Sequence, residues 1–183
     1  MSKNIFFVGS SHLPENYGFL REQLDLINPD CITLEQHIGS SLLYWDFKDN
    51  LDKLELEHKT KNYLGTEFSA GVHHARRNNT PIYFVDIVTS EHLTDINLND
   101  NLNYEIIRNK DYSLDGIGNS KYWTPRNEFM AKAINKHLKN YNNIVHIGGK
   151  GHYDSQRCIP LQALINNASK RFIDLNSKEV YQE

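Results

Sequence analysis

The stretch Asn143-Ile144-Val145-His146-Ile147-Gly148-Gly149-Lys150-Gly151-His152 predicts both the fold and the position of its site. Its first residues form a short apolar run of the kind that becomes a buried strand, and glycines follow at once. The start of the chain repeats this arrangement, because Ile5-Phe6-Phe7-Val8 is followed by Gly9-Ser10-Ser11-His12. Each run is therefore expected to end in a Gly-x-x-His turn that holds a histidine at the carboxyl end of a strand.

Strand and helix patterns alternate along the rest of the chain. We expect strands at 4–8, 31–34, 81–85 and 143–147, and a final short strand or extended tail at 170–175. Helices are expected at 14–28, 40–64 (one or two), 67–77, 124–141 and about 159–168. Such alternation predicts a single α/β domain over residues 1–183, with a largely parallel central sheet flanked by helices. The polar, Asn- and Asp-rich segment at about 90–123 is expected to be an irregular insertion, and whether it forms a lid over the site is left open.

Composition narrows the classes of protein. The net charge of -3 over 183 residues gives no polyanion-binding surface, so we expect no nucleic-acid partner. No signal-peptide core or membrane-spanning apolar stretch is present in the sequence, so we expect a cytoplasmic protein without a membrane partner. Of the two cysteines, Cys31 lies inside a predicted strand and is expected to be a small core residue rather than half of a disulfide. Self-association into a homo-oligomer is left open.

Ionisable residues follow four of the predicted strands. In an open α/β sheet, ligands bind at the carboxyl ends of the strands, so we expect these side chains to meet in a cleft there. The four residues are His12, Glu35, Asp86 and His152. Glu67 is added because it lies at a predicted helix N-terminus, where the helix dipole favours its charged form. Two imidazoles and several carboxylates form a ligand set for a divalent metal ion.

Glycines and one arginine complete the candidate site. Gly9, Gly149 and Gly151 are expected to let the backbone turn sharply, and exposed amides in such turns can stabilise an oxyanion. Arg126 begins a predicted helix, where a cation is unfavourable for the dipole, so we expect it to hold a carboxylate or a substrate oxygen. His146 alternates within its strand and is expected to be a core or sheet-face residue.

The ordered set of motifs resembles a known family. The motifs are Gly9-Ser10-Ser11-His12, Glu35, Gly65-Thr66-Glu67, Val85-Asp86, Arg126-Asn127-Glu128 and Gly149-Lys150-Gly151-His152. Together they resemble the TraB/PrgY–TIKI superfamily, which also includes erythromycin-esterase-like and ChaN-like α/β proteins. That family has two Gly-x-x-His motifs, two intervening glutamates and an arginine before the second motif. The resemblance assigns these roles to His12 and His152, to Glu35 and Glu67, and to Arg126.

Three functions follow as expectations. The first is a metal-dependent hydrolase of a peptide, ester or other acyl substrate, in which His12, His152 and one glutamate bind a Mn²⁺, Co²⁺ or Zn²⁺ ion. The other glutamate, Glu35 or Glu67, then acts as general base on the metal-bound water. The second is a metal-independent esterase with a histidine as base. The third is a non-catalytic protein that sequesters a small ligand such as haem, a peptide signal or an antibiotic.

Overall fold

Six strands form one sheet in the part of the chain that this computed structural model describes, residues 2–10, 16–35, 66–86 and 123–182. The main elements are β1 (Asn4–Ser10), α1 (Asn16–Ile27), β2 (Cys31–Leu34), α2 (Thr66–Asn78), β3 (Ile82–Phe84), α3 (Trp123–His137), β4 (Asn143–Gly149), β5 (Ser169–Asp174) and β6 (Glu179–Gln182). Two short 3₁₀ helices, Lys150–Tyr153 and Leu161–Leu164, lie between β4 and β5.

The strands are arranged in the order β3-β2-β4-β1-β5-β6. All neighbouring pairs are parallel except β5 and β6, which are antiparallel. The predicted α/β fold with a largely parallel central sheet is therefore confirmed. No described helix is long and apolar enough to cross a membrane.

Helices cover both faces of the sheet. Alternate residues of a strand point to opposite faces, and in β4 Val145 and Ile147 join one buried cluster while Ile144 joins the other. The first cluster includes Leu20 of α1 and Phe68 of α2, and the second is built on the apolar stripe of α3. Burial on both faces explains why the central strands are continuous apolar runs in the sequence.

The carboxyl ends of the parallel strands share one edge of the sheet. Leu34 at the end of β2 pairs with Phe84 on one side and with Ile147 on the other. Gly149 at the end of β4 pairs with Ser10, the last residue of β1. Polar side chains that follow β3, β2 and β4 are consequently delivered to adjacent positions along this edge.

Several local predictions were wrong or fall elsewhere. The helix expected at about 159–168 is a single 3₁₀ turn, because Asn135 of α3 binds the end of that turn and the chain after it. The Asn135 side chain donates to Leu164 O at 3.0 Å and accepts from Asn166 N at 3.1 Å. Asn167 then has a left-handed φ of 59°, which turns the chain into β5. Trp123, assigned to the insertion, begins α3. The helices predicted at 40–64 and the lid proper lie outside the described residues.

Two further expectations concern particular residues. Cys31 is a fully buried free cysteine, as predicted, and burial, with a smaller contribution from Asp30, raises the pKa of its thiol to about 12. Gly9 and Gly149 were expected to form turns, but both lie within strands, and Gly149 has extended backbone (φ -67°, ψ 137°). The turn begins later, in the 3₁₀ helix that carries Gly151.

Candidate functional site

Arg126 connects two of the predicted acidic residues. It lies in the first turn of α3, where its guanidinium is buried. Its Nε donates to Asp86 Oδ1 at 3.1 Å, and its Nη2 donates to Asp86 Oδ2 at 2.5 Å and to Glu35 Oε1 at 2.8 Å. Burial would lower the pKa of Arg126, but the two carboxylates raise it above its usual value. The cation that is unfavourable for the helix dipole is thus stabilised by the acids at the ends of β2 and β3.

Glu35 is the centre of the cluster. Its Oε1 lies 2.9 Å from His152 Nε2 as well as accepting from Arg126, and its Oε2 accepts from the backbone N–H of Gly149 at 2.5 Å. Burial would raise the pKa of this carboxyl, but the positive charges and hydrogen-bond donors of His152, Arg126 and Gly149 lower it to about 2. At neutral pH, Glu35 is therefore a fully ionised carboxylate.

Asn127 determines how His152 is oriented. The Asn127 side chain donates from Nδ2 to the backbone oxygens of His152 at 3.0 Å and Ile159 at 2.8 Å. Its Oδ1 must then be the acceptor that lies 2.5 Å from His152 Nδ1, so Nδ1 carries a proton. Because Nε2 faces the Glu35 carboxylate, it carries a proton as well, and the described geometry is that of an imidazolium–carboxylate pair.

A pocket of about 700 Å³ opens above this pair. Trp123 forms one wall: its ring lies 5.7 Å from the His152 ring, and the Arg157 guanidinium lies 5.5 Å from the indole. Other residues that line the pocket are Gly9, Ser10, Lys150, Phe172, Asp174 and Tyr181. The pocket combines aromatic surface with an ionised pair at its base, as binding sites for small organic molecules commonly do.

Among the predicted site residues, Glu35, Asp86, Arg126 and His152 meet in one cluster. His12 lies outside the described residues, so its position relative to His152 stays a prediction. Glu67 is fully buried in the first turn of α2 and is not among the residues that line the pocket.

The predicted glycines differ in what they do. At Gly9, an added Cβ would meet the Tyr153 ring at an ordinary 3.5 Å, whereas at Gly151 it would lie 2.6 Å from the Trp123 ring. Gly151 is therefore required for the indole to lie over the turn. Gly149 contributes its backbone N–H, which binds Glu35 rather than remaining available for an oxyanion.

Two of the predicted metal ligands, Glu35 and His152, lie in this cluster. Among the described residues, no group of three or more His, Cys, Asp or Glu side chains could hold a metal ion. Glu35 and His152 are bonded to each other, and the Arg126 guanidinium lies 2.8 Å from the oxygen that a cation would need. The described residues alone thus do not fit a divalent ion, and the metal stays a prediction that depends on His12.

Two residues of the cluster were missed as site members at the sequence level. Asn127 stands between Arg126 and Glu128 in a motif and has no predicted role of its own, although its amide fixes the His152 ring. The available signal was its position, directly after Arg126 at the start of a helix that faces the strand ends. Trp123 was assigned to the insertion, and nothing in its local pattern indicates that it packs on a glycine 28 residues later.

Comparison of the chain with family models, with curated proteins and with solved structures gave no match. The resemblance to the TraB/PrgY–TIKI superfamily therefore stays a prediction from the motifs.

Proposed function

We propose that this protein is a hydrolase of a peptide, ester or related acyl substrate, with His152 and Glu35 at its reacting centre. The observation that carries the proposal is the buried pair of His152 Nε2 and Glu35 Oε1, 2.9 Å apart, at the base of a pocket at the carboxyl edge of a parallel sheet. A buried ionised pair is costly to maintain, and such pairs concentrate at functional sites.

Glu35 serves in this proposal as a fixed negative charge rather than as the general base. A carboxylate whose pKa is lowered to about 2 is too weak a base to take a proton from water at neutral pH. The role of the Glu35 carboxylate is to stabilise the proton on His152 Nε2. Arg126 and the Gly149 N–H hold the carboxylate in place when a substrate competes with it for that proton.

His152 is the general acid. Because Asn127 keeps Nδ1 protonated, Nε2 is the nitrogen that loses and regains a proton. As water adds to the substrate carbonyl and the acyl bond breaks, Nε2–H transfers its proton to the leaving oxygen or nitrogen. The proton released by the attacking water restores Nε2–H, so the cycle consumes one water and leaves the enzyme unchanged.

Arg126 and Asp86 act as positioning residues in this scheme. The Arg126 donors are directed at two carboxylates, so the guanidinium orients Glu35 instead of contacting the substrate. The pocket wall has aromatic surface from Trp123 and Tyr181. Its exposed cations are paired, Lys150 with Asp174 at 2.6 Å and Arg157 with Asp154 at 3.1 Å. Such a wall favours an acyl compound with an apolar or aromatic portion.

A screen of chromogenic esters and labelled peptides tests the proposal. His152→Asn and Glu35→Gln are expected to lower the rate on any hydrolysed substrate by about 10²- to 10⁴-fold, the usual contribution of a positioned proton donor. His137→Asn and Glu128→Gln are matched controls, because His137 stacks on Tyr83 and Glu128 is exposed on α3. Full activity in His152→Asn would exclude this residue as the acid.

The alternative function, sequestering a small ligand in the same pocket, predicts a different result. A sequestering protein would retain a stoichiometric ligand through purification and release no product, whereas a hydrolase turns over many substrate molecules per chain. The volume of about 700 Å³ lies within the common range for small-molecule pockets, so the pocket could hold either a retained ligand or a substrate. Measuring ligand retention and product release on the same protein separates the two functions.

A further inference from the structure

A second imidazole lies behind Glu35. His146 of β4 is fully buried, and its Nδ1 lies 3.0 Å from the Thr33 hydroxyl oxygen on the neighbouring strand β2. The strand register pairs these two residues directly. His146 was expected to be a core or sheet-face residue, and the scheme above gives it no role.

Thr33 determines which nitrogen of His146 carries the proton. The threonine is fully buried, and among the described residues its side chain has no other hydrogen-bond partner than His146 Nδ1. A buried hydroxyl needs an acceptor for its own proton, because an unmade hydrogen bond is costly there. The hydroxyl therefore donates to Nδ1, and the proton of the neutral imidazole is on Nε2.

The Nε2 atom of His146 lies on the same side of the strand as the Glu35 carboxylate. Among the described residues, Nε2 has no hydrogen-bond partner although the ring is fully buried. A Cβ built on Gly148 would lie 3.2 Å from this nitrogen and 2.7 Å from Glu35 Oε2, so both atoms border the same small volume beside the strand. Glycine at position 148 is what allows the carboxylate and the imidazole to approach the backbone together.

We propose that His146 is a positioning residue for Glu35, which directs its Nε2–H at the Oε2 side of the carboxylate and keeps Oε1 turned towards His152. The inference rests on the proposed hydrolase site but makes a claim that can be measured without a substrate. Oε1 is bound by Arg126 and His152, and Oε2 is bound by the Gly149 N–H. In this proposal, the Nε2–H of His146 is the fourth positively polarised group around the carboxylate.

His146 suits this role because it remains neutral. Burial lowers the pKa of its imidazole to about 3, the Glu35 charge opposes that shift, and His152 adds to it. A neutral donor orients the carboxylate without competing for the proton that Glu35 shares with His152. Among the described residues, the polar groups near the ring are Thr33, Glu35 and His152, and the Phe7 ring lies edge-on to it at 6.2 Å between centroids.

The first experiment uses ¹⁵N NMR of the histidine rings in the full chain, with His146 assigned by the signal missing from His146→Gln. The wild-type ring is expected in the Nε2–H form. Thr33→Val, which removes the hydroxyl and keeps the shape, is expected to populate the Nδ1–H form. A wild-type ring in the Nδ1–H form, or one with both nitrogens protonated at neutral pH, would overturn the proposal.

The second experiment compares His146→Gln, whose amide nitrogen can replace the Nε2–H donor, with His146→Phe, which keeps a ring without a donor. The N–H proton of His152 that is bonded to Glu35 is expected to exchange with water about tenfold faster in His146→Phe and at the wild-type rate in His146→Gln. Equal exchange in both variants would refute a positioning role. If His146→Phe does not fold, comparing His146→Gln with Thr33→Val still tests the proposal. Only Thr33→Val should then speed the exchange of the His152 N–H proton with water.

Hydrolysis provides a separate outcome. If a substrate is found, His146→Phe is expected to lower kcat about tenfold with KM unchanged, and His146→Gln is expected to restore it. If no substrate is hydrolysed while the NMR results hold, the proposed hydrolase function fails and the positioning role of His146 stands.

Discussion

Replacing Arg126 with methionine would remove the cation that lies between two buried carboxylates. In the folded protein, the guanidinium makes two hydrogen bonds to Asp86 and one to Glu35, and it is 7% exposed. Removing one partner of a buried ion pair costs about 3–5 kcal/mol, because the other charge is left buried and uncompensated. Here Asp86 loses the guanidinium that binds both of its oxygens, whereas Glu35 keeps His152 and the Gly149 N–H. We therefore expect a loss of about 3–5 kcal/mol in the free energy of unfolding.

Urea denaturation followed by circular dichroism at pH 7 measures this loss. Arg157→Met is the matched control, because Arg157 pairs with Asp154 at 3.1 Å on the pocket rim and its side chain is 59% exposed. Such an exposed pair contributes less than about 1 kcal/mol. Added salt should reduce the effect of the control further and leave that of Arg126→Met nearly unchanged.

A double variant separates the loss of charge balance from the loss of packing. Adding Asp86→Asn to Arg126→Met removes the carboxylate whose two bonds to the guanidinium are lost, so we expect it to recover about 1–3 kcal/mol. The reasoning is refuted if Arg126→Met lies within about 1 kcal/mol of the wild type, or if the double variant is less stable than the single one.

Other perturbations address the carboxylate, the turn and the metal. Because the pKa of Glu35 is lowered from 4.5 to about 2 on folding, its charge stabilises the protein fully above pH 4.5 and is lost as the pH falls to about 2. The stability difference between wild type and Glu35→Gln should therefore shrink across this window in urea titrations. Gly151→Ala should force the Trp123 ring to move, which costs about 1–3 kcal/mol of stability and lowers the midpoint temperature of unfolding. Gly18→Ala is the control: its position in α1 has open space around it, so the substitution should raise the midpoint slightly. The metal prediction requires one divalent ion per chain that is lost in His12→Ala; elemental analysis of the purified protein checks it, and a metal-free wild type would contradict it.

The pattern of apolar residues was sufficient to predict the strands and helices that bury a regular face. The apolar runs at β1, β2 and β4 and the stripe of Met130 and Ile134 in α3 predicted the sheet and its covering helices, because burial on both faces leaves a signal in composition. β6 was missed, since Glu179–Gln182 is exposed along its length and has no face that the core selects. Antiparallel pairing with β5 forms it, and that pairing leaves no periodic pattern.

The acidic residues and the histidine of the cluster could be predicted because strand ends are recognisable and converge in this fold. The residues that bind them could not be predicted. Whether Asn127 binds His152, or His146 lies beside Glu35, depends on helix rotation and on which sheet face a residue occupies. The turn predicted at Gly149 failed for a related reason: pairing with Ser10 extends the strand through the glycine.

The partners of Glu35 are far away along the chain: Arg126 is 91 residues distant and Gly149 is 114. Forming these contacts requires closure of long loops, which is slow and late in the folding of proteins with non-local topology. A chain that has formed its helices but has not yet placed β4 beside β2 contains every residue of the cluster but lacks the bonds of Glu35 to His152 and Gly149. The N–H signal of His152 bonded to Glu35 would therefore report the completed fold, and its recovery during refolding should coincide with the last strand pairing.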